Sequence, residues 1–235
     1  MEAAFAHMEV PPVIYPDSDG EPMAENTVQY EWIVAIKGGL DALLPTAFVA
    51  GDLFWYPVEG DPHTRLAPDV MVALDRPKGH RGSYKQWEEG GKPPDVVFEI
   101  WSPGNSFAHK TYKLLFYNGH GVREFYAYDP ESNELSAYAA GPNGLSLVDV
   151  SGGFTSPLLG VRFELDADKM VIREPSGRPF RTFAELHADA EAAQERADAA
   201  QERADAAQQQ AEAATARADA LAAKLRALGL DPDAP

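Results

Sequence analysis

Apolar positions along the chain fall into three regimes. In "ENTVQYEWIVAIKGGLDALLP" (25–45), Val28, Trp32, Ile36, Leu40 and Leu43 recur at helical spacing, and Asn26 is placed to cap them, which predicts an amphipathic helix. Short apolar runs closed by Gly, Pro, Asn or Asp follow at 46–57, 66–74, 94–101 and 123–130 and read as strands, with 133–150 hairpin-like. Between them, "SFAHKTYKLLFYNGHG" (106–121) returns to helical spacing, with Leu114 and Tyr117 on one side, and ends in glycines. The order helix, strands, helix, strands predicts an α+β domain over residues 1–179.

The third regime, residues 180–235, is a heptad. An unbroken seam of alternating three- and four-residue steps runs Phe183, Leu186, Ala190, Ala193, Ala197, Ala200, Ala204, Ala207, Ala211, Ala214, Ala218, Leu221, Leu225, Leu228. Gly229 and Pro232 then supply a stop. The expectation is an Ala-rich coiled-coil helix that assembles a homodimer, parallel or antiparallel; a solvated helix that pairs with nothing is the competing reading. Alanine buries little area, so the leucines and Phe183 should contribute most.

Composition narrows the function. The 235 residues carry a formal charge of −17 and no cysteine. From Phe180 onward there are 6 Lys/Arg against 11 Asp/Glu, leaving 14 against 26 in the rest, so the globular part is itself acidic. That counts against a strong non-specific nucleic-acid binder, although a small basic site or a bound metal would still serve. No disulfide or thiolate metal site is available, which suits a reducing cytoplasm. No apolar stretch approaches a membrane span, and residues 1–22 lack the pattern of a secretory signal.

One residue breaks the patterning. In "PPDVVFEIWSPGN" (93–105), Glu99 lies inside an apolar strand, where an unpaired carboxylate would cost several kcal/mol. Asp69 heads the preceding long strand, after Pro68. If the two strands are neighbours, Asp69 and Glu99 converge and, with the Ile100 backbone carbonyl and waters, present the hard oxygen donors that suit Mg²⁺ or Mn²⁺. Lys113, on the helix that follows, could orient a metal-bound water and offset charge developing on a phosphate. The competing reading is a solvent-facing Glu99 paired with a surface cation.

Other candidates have plainer explanations. Glu31 could add an acid from the first helix or lie on a solvated face. Lys110 could replace Lys113. Asp52 could be a strand-end carboxylate near the site, although Gly51-Asp52 is a turn dipeptide. His109 and His120 read as local polar contacts. The basic segment 76–92 reads as either a substrate-contacting loop or an ordinary connection.

"APDVMVAL", "PPDVVFEIWSPGN" and "KLLFYNGHGVREFYAYDP", continued by "SPLLGVRFEL", "PSGRPFRTFAEL" and the tail ending "LRALGLDPD", resemble the Uma-two family of restriction endonucleases within the PD-(D/E)XK nuclease superfamily. The resemblance implies a restriction-endonuclease-like mixed central sheet flanked by helices, Mg²⁺ or Mn²⁺ as cofactor, and DNA as substrate. By position, Asp69 matches the Asp of the PD element, Glu99 the acid of the E-X-K element, and Lys113 the lysine that members commonly carry on the following helix. Two positions depart: Trp101 stands where the motif has lysine, and His109 where relatives often have an acid. The expectation is a metal-dependent DNA endonuclease. A nuclease-like fold that has lost activity and serves as a scaffold is the second reading; a small-molecule phosphodiesterase has little support.

Overall fold

The computed structural model describes residues 13–18, 20, 24 and 26–229; most of residues 1–22, and Pro232, lie outside them. The chain forms two compact units, residues 1–182 and 183–235. The first contains α1 (Thr27–Leu43), β1 (Phe48–Gly51), β2 (Trp55–Tyr56), β3 (Val70–Ala73), β4 (Tyr84–Lys85), β5 (Val96–Ile100), α2 (Phe107–Gly119), β6 (Glu124–Asp129), β7 (Glu134–Gly141), β8 (Gly144–Val148), β9 (Phe154–Thr155), β10 (Arg162–Leu165) and β11 (Met170–Arg173). The fold is α+β. A six-stranded sheet in the order β1-β3-β5-β6-β7-β8 is antiparallel except for the pair β5–β6, which is parallel. Parallel neighbours need a crossover, and α2 makes it.

Alternation along the strands splits the core between two faces. Val70, Val72, Val96, Phe98 and Ile100 point to the α1 side, where Ile33, Ile36 and Leu40 meet them. Met71, Ala73, Val97 and Trp101 point to the α2 side, against Phe116 and Tyr117. Glu99 shares the parity of Val97 and Trp101, so it faces α2.

Helix α1 begins as expected, with the Asn26 side chain accepting the Gln29 backbone N–H at 2.9 Å. Its buried stripe is rotated from the expected one. Gln29, Ile33, Ile36 and Leu40 are buried, whereas Val28 is 48% exposed. The polar Gln29 is inside because its amide has partners there, described below. Gly39 also has a reason to be glycine, because a Cβ would lie 2.5 Å from the Phe180 ring that packs over this turn. Nothing in the structure explains Gly38.

The run 46–57 is broken rather than continuous: Asp52 adopts φ +46 and separates β1 from β2. A three-stranded sheet, β11-β10-β9, was not expected from the sequence; Phe163, Met170 and Ile172 from it complete the α1-side core. The segment leading into it is held by Glu124. That buried carboxylate accepts the Ser156 hydroxyl at 2.5 Å, the Tyr126 hydroxyl at 2.8 Å and the Leu158 N–H at 3.0 Å, so its lone pairs are satisfied without a cation.

The second unit contains α3 (Phe183–Ala227), a helix of 45 residues none of which is buried, followed by Gly229 at φ +78. Among the described residues, no helix is long and apolar enough to cross a membrane.

Candidate active site

Strands β3 and β5 are sheet neighbours, with Val70 opposite Phe98 and Val72 opposite Val96. Continuing that register by one residue sets Asp69 opposite Glu99 on the α2-side face, where both are buried. Asp69 Oδ2 accepts the Ile100 N–H at 2.6 Å, taking the place of a ladder carbonyl just past the paired region. Gln29 Nε2 reaches the same oxygen at 3.5 Å and donates to the Ile100 carbonyl at 3.1 Å.

The ion pair answers the question that Glu99 raised. Lys113 Nζ lies 2.6 Å from Glu99 Oε2, with the lysine side chain 12% exposed and the carboxylate 1%. The Tyr117 hydroxyl, one helical turn further along α2, donates to Glu99 Oε1. Trp101, the residue standing in place of the motif lysine, supports the same cation: Lys113 Nζ lies 5.9 Å from its ring centroid and Lys110 Nζ 5.3 Å.

The electrostatics follow from two acids sharing one cation. Burial, then the Glu99 charge, pushes the Asp69 carboxyl up to about 7, against the pull of Lys113 and the two hydrogen bonds. Burial alone would depress the Lys113 ammonium, but Glu99 and Asp69 outweigh it and its pKa is raised. Tyr117 is raised well above its ordinary value by burial and by Glu99, so its hydroxyl is a fixed donor. Replacing Lys113 by Met should therefore leave two buried carboxylates without a counter-charge. Loss of one partner of a buried pair costs roughly 3–5 kcal/mol. We expect a fall of that order in urea-unfolding stability at pH 8, and a smaller fall at pH 5, where Asp69 is protonated and only Glu99 is left without its partner. Equal losses at both pH values would show that Lys113 does not balance the Asp69 charge.

A cleft of about 370 Å³ opens over these groups, lined also by Asp52, Arg65, Asn105 and His109. Asp52 is both a turn residue and a cleft residue, and its charge helps to raise Lys113. Arg65 had not been singled out in the sequence. Its guanidinium lies 4.9 Å from the Phe54 ring centroid and donates to the Pro62 carbonyl at 2.6 Å, which holds a cation at the cleft wall. Two candidates fall outside the cleft: Glu31 is exposed on α1, and Lys110 faces Asp129 at 3.7 Å. The basic segment 76–92 does not line it either. Lys78, Arg81, Lys85 and Lys92 face Asp41, Glu89, Glu88 and Asp95 at 2.6–3.3 Å, so their charge is offset locally. His120 packs 4.5 Å from the Phe116 ring centroid, and burial lowers its pKa.

The donors suit a hard divalent cation by chemistry: two carboxylates and the Ile100 carbonyl from rigid strands. Among the described residues no group of three or more His, Cys, Asp or Glu side chains converges as a ready-made metal cage, so this set would need the carbonyl and waters to complete it.

Comparison with known proteins supplies the family. Curated proteins give no match. A solved structure titled a putative nuclease belonging to DUF820, from Anabaena variabilis, is similar at 15% identity and a TM-score of 0.41, over 57% of this chain and 75% of that one. The family model Uma2, described as "Putative restriction endonuclease", matches residues 24–169, more than half of the chain and the whole of the Asp69–Glu99–Lys113 region. The chain belongs to the Uma2 family.

Proposed function

We propose that the protein is a metal-dependent endonuclease that hydrolyses DNA phosphodiester bonds in the cytoplasm. The observation that carries the reading is two buried carboxylates and a largely buried lysine lining one cleft, with the Asp69 carboxyl raised to about 7. Asp69, Glu99 and the Ile100 carbonyl would hold Mg²⁺ or Mn²⁺. Such an ion, when bound, supplies a Lewis acid and a water acidified toward neutral pH. Asp69, at the head of β3, and Glu99, on β5, fix the donor oxygens, so little reorganisation is needed when charge develops. Tyr117 and Trp101 limit the freedom of Glu99 and Lys113. The Lys113 ammonium can orient the attacking oxygen and stay protonated beside the anionic phosphate. Arg65, on the cleft wall, is placed to meet a phosphate oxygen. The test is calorimetric titration of Mn²⁺ with nicking of supercoiled plasmid assayed on the same samples. Absence of cutting on single-stranded, duplex, branched and supercoiled DNA with either metal would sink the reading.

One observation favours a second reading, an inactive binding module. The Glu99 oxygens already meet Lys113 and Tyr117, and the Ile100 carbonyl already accepts from Gln29. The group is thus hydrogen-bonded within the protein, and metal binding has to displace or share those contacts.

The heptad of α3 supports a homodimer. Light scattering should give twice the chain mass for the full-length protein, and the monomer mass after deletion from Phe183 onward. A monomeric full-length chain would rule the dimer out.

A further inference from the structure

None of the 45 residues of α3 is buried, and large apolar side chains stand exposed at both ends of its seam: Phe183 at 78%, Leu186 at 54%, Leu221 at 60% and, just beyond, Leu228 at 76%. We propose that this face docks on the same face of a second copy of the chain with the two helices parallel and in register. The proposal rests on the dimer reading above and adds its orientation.

Charge along the two edges of the seam carries the orientation. Taking Phe183 as position a of the heptad, position g carries Asp189, Arg196, Arg203, Gln210, Arg217 and Lys224. Beyond Asp189 that edge is basic or neutral. Position e carries His187, Gln194, Gln201, Gln208, Thr215 and Ala222. Each of the three glutamines donates to an acid one turn on at position b: Asp198 at 2.8 Å, Asp205 at 2.7 Å and Glu212 at 2.9 Å. The same contact therefore recurs every seven residues and fastens an acidic row beside the e edge. In a parallel pair, the g edge of each helix runs beside the e edge of the other. Guanidinium groups then meet glutamine oxygens and the carboxylates behind them, along both sides. In an antiparallel pair g runs beside g, which sets Arg196 and Arg203 among cations. The alanine seam strengthens the distinction, because small residues let the helices approach closely and bring the flanking rows within reach.

The consequence is positional. Helix α3 follows directly from residue 182, so a parallel pair joins both first units to the same end of a rod ~67 Å long at ~1.5 Å per residue. Two candidate sites tethered at one end suit attack on both strands of one duplex.

The test uses the full chain, whose lack of cysteine makes a single introduced thiol a clean reporter. Ala190→Cys lies on the seam. In the parallel pair it faces its own copy and should oxidise to a covalent dimer by itself. In a fully overlapped antiparallel pair it would face position 221 instead, and would cross-link only when mixed with Leu221→Cys chains. As a second readout, Arg196→Glu with Arg203→Glu should weaken the dimer tenfold or more in sedimentation equilibrium, because the new carboxylates face an acidic edge. Cross-linking only in the mixture, or a tighter dimer in the charge variant, would overturn the orientation and leave the dimer standing. A monomeric mass for the unmodified chain would overturn both.

Discussion

Changing Glu99 to Gln is expected to abolish Mn²⁺ binding and plasmid nicking together, while the fold survives. Glutamine keeps the shape and one acceptor oxygen, so the Tyr117 hydroxyl still has a partner. Lys113 does not become an orphaned charge, because Asp69 is close enough to act on it and becomes its counter-ion. What is lost is one of the two carboxylates able to hold a cation. Supporting residues around metal sites typically cost 10–100-fold in affinity or activity, so removal of a ligand itself should cost at least ~100-fold in both. If the variant bound Mn²⁺ like wild type, Glu99 would be a structural anchor for Lys113 and nothing more. Wild type that failed to bind would move the weight to the inactive binding module.

Asp69→Asn has the opposite effect on stability, and this is the second large expectation. The ordinary value for an aspartate is 3.8, and Asp69 is held at about 7. Between those values the folded protein keeps a proton that the unfolded chain has released. Folding therefore loses free energy as pH rises through that window, and the full cost is present above 7. At ~1.4 kcal/mol per pH unit the cost approaches ~4 kcal/mol. Asparagine retains an oxygen for the Ile100 N–H and carries no charge. Without metal at pH 8, the variant should unfold roughly 5 °C or more above wild type, and the difference should vanish by about pH 4. Its Mn²⁺ binding should be lost, so the residue would be worth more to activity than to stability. An Asp69→Asn protein less stable than wild type at pH 8 would mean that Asp69 is ionised and well paired in the metal-free fold.

The acids of this site were legible because each breaks a pattern. Glu99 interrupts an apolar strand, and Asp69 sits where a strand begins. Gln29 carries the same kind of signal, since positions 29, 33, 36 and 40 form a helical period in which only the first is polar. The competing Val28 stripe is apolar throughout, which hides it. The expected strands around residues 70, 98 and 126 are present, because buried β-rich runs bounded by turn residues are distinctive. Strands β2, β4 and β9 have only two residues each, too short for alternation to register. Arg65 was invisible for another reason, since a loop residue has no period and only the folded chain shows that its guanidinium reaches the cleft wall. The basic segment 76–92 illustrates the reverse error: a run of cations is a substrate patch only if carboxylates leave it unpaired, and here Glu88, Glu89 and Asp95, close in sequence, and Asp41, distant in sequence, all face it.

The seat of Phe180 over Gly39 fixes where the first unit can be cut. Its ring is pegged against a helical turn where only glycine leaves space, and its N–H is tied to the Ile172 carbonyl at 2.7 Å. The last residues before α3 are thereby fastened to α1 and to β11, as part of the first unit's own packing. A truncation that removes the long helix therefore has to keep Phe180. One that also removes Phe180 uncovers the Gly39 turn and takes away the N–H that the Ile172 carbonyl accepts.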